Sequence, residues 1–422
     1  MGRETKWLIL GLKYGYYSAK HLIAGVIGKP NTGKSTFFNA ATLLNVPMAN
    51  YPFTTITPNL GVAYLRVKCV HQELNVPDNP QNSLCIEGTR LIPVKLVDVA
   101  GLVPGASQGK GLGNKFLDDL RQADALIHVV DASGSTDAEG KNVESGTHDP
   151  LEDIGFVEEE FDLWLADIVN RDWTKIARAA EADKGKFLQM LSDRLSGLAI
   201  KQEQIIIASD KCSLKLDKAL QWSNDDIKRF CSVLRQIAKP SLIAANKADL
   251  PTSKDKIEKL KKMGRIVIPT AAEAELLLRR ASERGLIRYL PGDKDFEIIT
   301  KDKMSQQQVK ALELVRQKVL STWGSTGVQE VINSVYLTLL RCIVVYPVED
   351  ESKFSDKKGN VLPDARVVPL GSTAKDLAYT IHTDLGESFL YALDAKTGMR
   401  LGADYKLRDS DVIKIVATGR RG

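Results

Sequence analysis

The feature that most constrains this chain is the segment from Ala24 to Asn39, AGVIGKPNTGKSTFFN. It contains the pattern G-x-x-x-x-G-K-S between an apolar run and a helix-compatible run. In a strand–loop–helix setting, the backbone N–H groups of such a loop and the positive end of the helix face phosphate oxygens. The sequence therefore predicts a nucleotide phosphate site, formed by Gly28, Pro30, Asn31, Thr32, Gly33, Lys34, Ser35 and Thr36. We expect Lys34 to reach the terminal phosphates and the Ser35 hydroxyl to coordinate Mg²⁺.

Composition limits the class of protein. The chain has 422 residues, enough for two or three domains, and 43% hydrophobic and 26% charged residues are typical of a folded protein. A net charge of +5 permits contact with nucleic acid but does not require it.

The sequence predicts neither a membrane span nor a signal peptide. It contains no run of eighteen apolar residues, and the run KWLILGL is too short and lacks a cleavage site. Residues 1–20 are expected to be a poorly constrained extension.

The five cysteines form no C-x-x-C pair, which favours a reducing, cytoplasmic location. Cys69, His71 and Cys85 bracket one loop and are candidate metal ligands. Because they lack the paired spacing typical of zinc motifs, the pattern favours ordinary reduced side chains over a metal site.

Apolar runs of strand length alternate with helical stretches from His21 to about Thr270, which predicts an α/β domain with a largely parallel sheet. The predicted strands are Leu22–Ile27, Val62–Val67, Ile92–Val97, Ala125–Val130, Leu242–Ala245 and Arg265–Ile268. The second and third are expected to form an antiparallel pair, because only a polar, proline-containing loop separates them.

Two further regions are predicted to be helical. About a hundred residues between Asp131 and Pro240 carry amphipathic stripes, which favour an antiparallel helical hairpin inserted at about residues 140–239 over a cofactor pocket. Ser223 is expected to cap the last of these helices. Residues 276–340 are again helical in pattern, apart from a turn at Pro291.

The last eighty residues change character, with a domain boundary near Leu340. The pattern predicts a small mixed sheet crossed by one helix, which Ser372 opens and Gly386 ends.

Two motifs downstream of the glycine loop suggest a switch. Asp98-Val99-Ala100-Gly101 fits D-x-x-G, in which the Asp98 carboxylate holds a Mg²⁺-bound water and the Gly101 amide contacts the terminal phosphate. Between the motifs, Thr55 is favoured over Thr54 as a Mg²⁺ ligand that is released with the third phosphate. The alternative at that position is an ordinary proline-bounded turn.

The motif Asn246-Lys247-Ala248-Asp249 follows an apolar strand directly. The Asp249 carboxylate can accept two hydrogen bonds from guanine, whereas adenine would leave it unpaired. Lys247 is expected to pack along the base and the loop. The segment Thr270-Ala271-Ala272 is expected to donate a backbone N–H to guanine O6. These residues favour GTP over ATP.

The chain resembles an Obg-like GTPase of the YchF type, in its archaeal branch. The segments that carry the resemblance are GKPNTGKS, YPFTTITPNLG, DVAGLVPGASQGKGLGNKFLDDLRQADALIHVVDAS and NKAD. The resemblance extends from about His21 to the end of the chain. It implies a P-loop GTPase domain (residues 21–275) with a helical, coiled-coil-like insertion, a helical linker (276–340) and a small α+β β-grasp domain of the TGS type (341–422). It also implies contact with ribosomes or RNA. Some YchF-type relatives lack the aspartate of the guanine motif and prefer ATP, and this chain retains Asp249.

The catalytic machinery departs from that of many regulatory GTPases, because Leu102 stands where a glutamine orients the attacking water. Slow intrinsic hydrolysis is therefore expected. Asn31 resembles the asparagine that binds K⁺ in potassium-stimulated GTPases, which makes K⁺ an additional candidate cofactor; the alternative is that Asn31 merely fits the loop. His128, within a strand, is a further candidate for orienting water, although a lone strand histidine is more often a core residue.

The sequence thus predicts Mg²⁺-dependent hydrolysis of GTP to GDP by a cytoplasmic switch that engages the ribosome or RNA. The alternatives are an ATPase of similar design and a nucleotide-gated binding module whose hydrolysis is incidental. No membrane contact and no recognition of DNA sequence are expected, and the sequence leaves the oligomeric state open.

Overall fold

The computed structural model describes residues 22–43, 59–99, 101, 105 and 119–418. The predicted extension at residues 1–20, the candidate Mg²⁺ ligand Thr55 and Leu102 lie outside the described residues.

The centre of the molecule is a seven-stranded sheet in the order β2-β4-β1-β5-β6-β7, with β3 paired to β4. Its strands are β1 (Ile23–Ile27), β2 (Leu60–Lys68), β3 (Leu84–Ile86), β4 (Thr89–Asp98), β5 (Ala125–Asp131), β6 (Ser241–Asn246) and β7 (Val267–Pro269). The predicted antiparallel pair is confirmed, because β2 and β4 pair from Leu60 with Val97 to Lys68 with Thr89. The parallel strands β1, β4, β5 and β6 are largely buried, which explains their nearly continuous apolar runs.

The helices of this domain cover both faces of the sheet. Those with both ends in the described part of the chain are α1 (Lys34–Thr42), α2 (His71–Leu74), α3 (Pro150–Asn170), α4 (Trp173–Ala182), α5 (Lys184–Arg194), α6 (Gln202–Lys211), α7 (Asn224–Ala238), α8 (Ser253–Lys261) and α9 (Ala272–Glu283). Phe37 of α1 joins a core on one face, whereas Val157 of α3 joins Leu126 of β5 in a core on the other.

The helical insertion between β5 and β6 contains five α-helices, α3 to α7, and two 3₁₀ turns instead of the simple hairpin predicted. The chain leaves helical geometry at Asp172 and at Ala199, where φ is +58° and +55°, so the amphipathic stripes fall on separate short helices. The predicted cap is confirmed, because the Ser223 hydroxyl accepts a hydrogen bond from the Asp226 N–H at 3.1 Å.

Residues 287–298 differ from the helical prediction. They form a two-stranded sheet of β8 (Ile287–Arg288) and β9 (Glu297–Ile298), because the turn that begins at Pro291 reverses the chain. Helices α10 (Gln306–Val315), α11 (Ser321–Trp323) and α12 (Val328–Asn333) follow, and π-helical turns extend α10 and α12. Val328 and Val331 of α12 share the core of Phe37, so this segment covers the same face of the sheet as α1.

The carboxy-terminal domain is a five-stranded sheet in the order β11-β10-β14-β12-β13. Its elements are β10 (Cys342–Val348), β11 (Arg366–Pro369), α13 (Ala374–Ile381), α14 (Thr383–Glu387), β12 (Phe389–Asp394), β13 (Arg400–Leu401) and β14 (Val412–Ala417). The expected bounds of its helix were wrong. Thr373, not Ser372, caps α13, and the chain leaves the helix at His382, where φ is −158°. Gly386 lies in α14 and permits close approach to the Tyr379 ring, since an added Cβ would lie 2.3 Å from that ring.

The two sheets share one hydrophobic core. Val344 and Tyr346 of β10 are buried in the same cluster as Leu96 of β4 and Phe37 of α1. The carboxy-terminal domain is therefore packed against the nucleotide-binding domain. No helix among residues 22–43, 59–99 and 119–418 has the length and apolar character needed to cross a membrane.

Candidate functional site

The glycine loop joins β1 to α1 at the carboxyl edge of the parallel strands. Gly28 and Gly33 have φ of +152° and +88°, and an added Cβ would lie 2.4 Å from the Val129 carbonyl oxygen and 2.2 Å from Asn246 Nδ2, respectively. Both positions therefore require glycine. In the described part of the chain no side chain caps the start of α1 at Lys34, so the N–H groups of its first turn have no capping partner there. This backbone is suited to bind an anion.

The D-x-x-G residues lie beside this loop, as the sequence predicted. Asp98 ends β4 and pairs in register with Val26 of β1. Its Oδ1 atom lies 2.8 Å from Lys34 Nζ, so the predicted phosphate ligand and the predicted metal-binding carboxylate form an ion pair. A Cβ added to Gly101 would lie 3.6 Å from the Gly28 carbonyl oxygen, which places the Gly101 backbone against the loop.

Asn246 connects the three loops of the site. Its Nδ2 donates to the Thr32 carbonyl oxygen at 2.8 Å, and its Oδ1 accepts from the Ala272 N–H at 3.1 Å. Because Asn246 is buried, these bonds are shielded from water. The Asn246 side chain thus holds together the glycine loop, the Asn246–Asp249 motif and the start of α9.

Asp249 lies at the surface of this junction and is partly exposed. Within the described part of the chain, no group forms a hydrogen bond with its carboxylate. The preceding residues are fixed, since the Ala248 N–H donates to the Thr270 carbonyl oxygen at 3.0 Å and the Ala248 carbonyl accepts from Trp323 Nε1 at 3.0 Å. Among the described residues, the Asp249 carboxylate is therefore an acceptor without a partner, and the residues before it are held in place.

The Lys247 side chain contacts the segment that follows β5. Its backbone has φ of +60°, and its ammonium lies 2.9 Å from Asp131 Oδ2 and 3.0 Å from Ser135 Oγ. Burial alone would raise the pKa of Asp131, but hydrogen bonds from Ser133 and Lys247 hold that pKa below its usual value. Asp131 is a site residue that sequence reasoning missed, although its position at the end of the run LIHVVD was a signal.

The predicted backbone donation to guanine O6 is not available in this conformation. The Thr270 N–H donates to the Ala245 carbonyl at 2.8 Å, and the Ala271 N–H donates to the Thr326 carbonyl at 2.9 Å. These residues support the base loop instead of presenting free donors.

Asn31 and Lys29 link the glycine loop to the segment after β5. Asn31 is exposed, has φ of +62°, and donates from Nδ2 to the Gly140 carbonyl oxygen at 2.9 Å. Lys29 was not singled out from the sequence, yet its side chain is buried and donates to Asp153 Oδ1 at 2.8 Å and to the Thr136 carbonyl at 2.9 Å. It occupies a variable position of the loop motif, so only the tertiary structure identifies its partner.

His128 does not face the phosphate site. It lies between Leu126 and Val130 on the face of β5 that packs against α3 and α8, opposite the face that packs against α1. Burial, followed by the nearby charges of Arg265 and Arg235, lowers the pKa of His128 to about 3. A neutral side chain on the far face of the sheet cannot orient the attacking water, so the core interpretation holds.

The sheet, the loop between β1 and α1 and the two further motifs define a P-loop GTPase with an additional small sheet domain. The model for "50S ribosome-binding GTPase" matches residues 23–157. The model for "Obg-like GTPase YGR210-like, G4 motif-containing domain" matches residues 244–350, and that for "TGS domain" matches residues 358–417.

Relatives cover nearly the whole chain. An uncharacterized GTP-binding protein of Methanocaldococcus jannaschii is 52% identical over 398 residues, which are 94% of this chain and 99% of that protein. The crystal structure of a GTP binding protein from Pyrococcus horikoshii is 42% identical, with a TM-score of 0.74, and covers 94% of this chain and 100% of that one. The ribosome-binding ATPase YchF of Pasteurella multocida is 28% identical over 379 residues, 87% of this chain and 86% of that protein. The chain belongs to the Obg-like GTPases of the YchF type.

Proposed function

We propose that this chain is a cytoplasmic switch that binds GTP with Mg²⁺, hydrolyses it slowly to GDP and phosphate, and engages the ribosome in a nucleotide-dependent way. In this proposal the loop from Gly28 to Thr36 holds the phosphates. Lys34 leaves Asp98 and contacts the terminal phosphates when the triphosphate is bound.

The observation that carries the preference for guanine is the Asp249 carboxylate. It is partly exposed, has no hydrogen-bond partner in the described part of the chain, and stands on a motif held by Asn246. Guanine N1–H and its 2-amino group supply two donors to this carboxylate, whereas adenine supplies neither. ATP would leave the carboxylate desolvated and unpaired, which is costly.

The residues around Lys34 fit a magnesium ion. Ser35 is exposed in the first turn of α1, and the Asp98 carboxylate is a quarter exposed at the end of β4. Hydroxyl and carboxylate oxygens are hard ligands of the kind Mg²⁺ prefers. Ser35 would bind the ion directly and Asp98 through water, with Thr55 as a third proposed ligand. When bound, Mg²⁺ would neutralise negative charge on the β- and γ-phosphates.

Hydrolysis in this proposal depends on positioning and on electrostatic stabilisation. The Gly101 backbone, which lies against the glycine loop, is close enough to respond to the γ-phosphate. Leu102 supplies no carboxamide for water, so intrinsic turnover is slow. The Asn31 amide group already donates to Gly140, which leaves its Oδ1 atom available as a ligand for K⁺.

Competition between nucleotides tests the guanine assignment. With a fluorescent guanine nucleotide bound, GTP should displace it from the full chain at concentrations about 100-fold below those of ATP. The variant Asp249→Asn, whose amide N–H₂ repels guanine N1–H, should lose most of this difference. Asp255→Asn, an exposed aspartate on α8, is the matched control and should behave as the parent. Equal displacement by ATP and GTP in the parent chain would refute the role of Asp249 in choosing guanine and would favour the ATPase alternative.

A nucleotide-gated binding module with incidental hydrolysis is the second candidate, and Leu102 favours it. Several bacterial relatives carry the name ribosome-binding ATPase, which supports a ribosomal partner for this chain as well. The two functions differ in one measurement, the hydrolysis rate with and without ribosomes. Acceleration by ribosomes supports the enzyme switch, and unchanged slow turnover with nucleotide-dependent binding supports the module.

A further inference from the structure

Four side chains with metal-binding atoms converge in the connection between β2 and β4. They are Cys69, His71, Asp78 and Cys85, and one ligand atom from each lies within 4.8 Å of all the others. Their spacing is C-x-H-x₆-D-x₆-C. The cysteines and the histidine are visible as candidates in the sequence, but Asp78 becomes the fourth member only because the loop folds back onto α2.

Three contacts within this cluster have lengths close to those that a tetrahedral site requires. Cys69 Sγ lies 3.3 Å from Asp78 Oδ2, which lies 3.2 Å from His71 Nδ1, and that nitrogen lies 3.5 Å from Cys85 Sγ. Tetrahedral bonds of about 2.3 Å to sulfur and about 2.0–2.1 Å to nitrogen and oxygen require ligand-to-ligand distances of about 3.3–3.8 Å. His71 Nδ1 and Asp78 Oδ2 each take part in two of these contacts, so each residue directs a single atom toward the centre of the cluster.

The surroundings balance the charge of such a site. The Arg90 side chain is fully buried, with Nη1 2.9 Å from Asp78 Oδ2 and 3.9 Å from Cys69 Sγ. Two thiolates and one carboxylate carry three negative charges, which a divalent ion and the Arg90 guanidinium reduce to zero. Arg90 Nε also donates to Ser83 Oγ at 2.9 Å, so the guanidinium is held in place to support the ligands.

We propose that Cys69, His71, Asp78 and Cys85 bind one structural zinc ion. Two sulfur ligands and one imidazole select zinc over magnesium or calcium. Four protein ligands leave no open position, which is typical of a structural and not a catalytic zinc.

The zinc site fixes the joint between the two domains. The chain between Asp78 and Cys85 forms several hydrogen bonds to the carboxy-terminal domain: Asn79 N to Val361 O at 2.8 Å, Gln81 N to Pro363 O at 2.7 Å, and the Asn82 side chain to both backbone groups of Ala365. Arg90 adds a bond from Nη2 to the Leu362 carbonyl oxygen at 2.7 Å. Since zinc ligands close both ends of this segment, the ion holds the segment in the shape that pairs with residues 360–365.

Metal content tests the site directly. The full chain, purified under reducing conditions after growth with added zinc, should contain about one zinc per chain by mass spectrometry of the elements. Replacement with Co²⁺ should give thiolate-to-cobalt charge-transfer bands. The double variant Cys69→Ser, Cys85→Ser should lose both signals. Cys212→Ser is the matched control, because its buried cysteine lies in the helical insertion outside the cluster, and it should retain the zinc.

Three outcomes overturn the site. They are absence of zinc from the parent chain after reconstitution with zinc chloride, retention of stoichiometric zinc by the double variant, and an intact mass lower by two hydrogens that reveals a disulfide between Cys69 and Cys85. Circular dichroism checks that the double variant is folded. If it is not, removal of zinc from the parent chain by a chelator supplies the same comparison without a mutation.

Hydrogen exchange tests the joint. In the zinc-loaded chain the amides of Asn79, Gln81 and Ala365 should exchange at least about tenfold more slowly than after chelation. Amides in the paired strands β5 and β6 serve as an internal reference and should not change. Equal exchange of the joint amides with and without zinc would refute the role at the joint even if zinc is bound.

Discussion

Single side chains at this site serve more than one loop. Asn246 donates to the glycine loop and accepts from the start of α9, while Lys34 at the end of the loop pairs with Asp98 at the end of β4. Charge-assisted contacts of this kind are strong but exchangeable, because Lys34 and Asp98 both retain some exposure. The pair holds the site together in this structure, and in the proposed function it yields to a triphosphate with magnesium.

The potassium dependence of turnover depends on Asn31. If a K⁺ ion bound by its Oδ1 atom offsets charge that develops in the transition state, hydrolysis by the parent chain should be at least about tenfold faster in potassium chloride than in sodium chloride. Asn31→Ala should show equal, slow rates in both salts. Asn39→Ala, on the exposed side of α1, is the control and should keep the difference. A parent chain that is indifferent to the cation would leave Asn31 a purely structural loop residue.

His128 makes stability depend on pH. Burial first, and then Arg265 and Arg235, lower its folded pKa to about 3, below its unfolded value of about 6.5. The unfolded chain therefore binds the proton more readily between these values, and stability is lost as the pH falls through this window. At pH 5 the loss from this group is about 2 kcal/mol relative to pH 8.

The variant His128→Leu should remove this part of the pH dependence. Urea unfolding at pH 8 and pH 5 should show a decrease in unfolding free energy that is smaller by about 2 kcal/mol than in the parent. The exposed His382, changed to glutamine, should leave the decrease as it is. Identical decreases in His128→Leu and the parent would mean that His128 is charged or exposed in the folded chain.

At the scale of elements, the helical insertion is tied to the phosphate loop. Lys29, inside the loop, pairs with Asp153 in the first turn of α3, and His148 Nε2 lies 2.7 Å from the same carboxylate oxygen. Burial raises the pKa of Asp153, while the hydrogen bonds from Lys29 and His148 act in the opposite direction. A change in the loop on nucleotide binding therefore acts on the first turn of the insertion.

Breaking the buried ion pair between Lys29 and Asp153 should lower the free energy of unfolding. Lys29→Met leaves a buried carboxylate with one partner fewer, so the unfolding free energy should fall by about 3 kcal/mol, and GTP affinity should fall with it. The double variant Lys29→Met, Asp153→Leu should recover at least half of the lost stability, because the unpaired charge is gone. Arg194→Met, which removes a surface ion pair with Asp172, should cost less than about 1 kcal/mol. Additive effects of the two buried substitutions would show that the pair is not coupled.

At the scale of the whole molecule, the carboxy-terminal domain is part of the same packed unit as the nucleotide site. The strands β4 and β10 share a core, and the loop with the proposed zinc ligands pairs with residues 360–365. The most basic segment, between Lys254 and Lys318, has sixteen Lys and Arg against ten Asp and Glu. Several of these, including Arg279, Arg288 and Arg316, already pair with acids of this chain, so the excess available to RNA is smaller than the sequence suggests.

Sedimentation with ribosomes tests the switch as a whole. The fraction of the full chain that pellets should be larger with a non-hydrolysable GTP analogue than with GDP, because only the triphosphate contacts both Lys34 and the Gly101 backbone. Lys34→Ala should pellet equally with either nucleotide. Equal pelleting of the parent chain with both nucleotides would remove the switch from the proposed function and leave a constitutive binding protein.

Local pattern was sufficient for the nucleotide loop, for the strands β1, β2 and β4 to β7 of the central sheet, and for the antiparallel pair at the sheet edge. Periodicity and glycine positions depend on neighbours in sequence, so they can be read from the chain alone. The pattern of glycine positions wrongly predicts that α13 ends at Gly386. This glycine is required by its close contact with the Tyr379 ring, which only the folded chain shows.

The sequence by itself determined that this chain has a strand–loop–helix phosphate site and a motif that fits guanine. Only the tertiary structure decided that Asn246 joins three loops, that Lys29 is buried against the insertion, that His128 faces away from the site, and that Asp78 completes a cluster with two cysteines and a histidine. The reason is physical. These arrangements depend on burial and on partners far apart in sequence, and their free energy is gained only when the sheet, the insertion and the carboxy-terminal domain pack together.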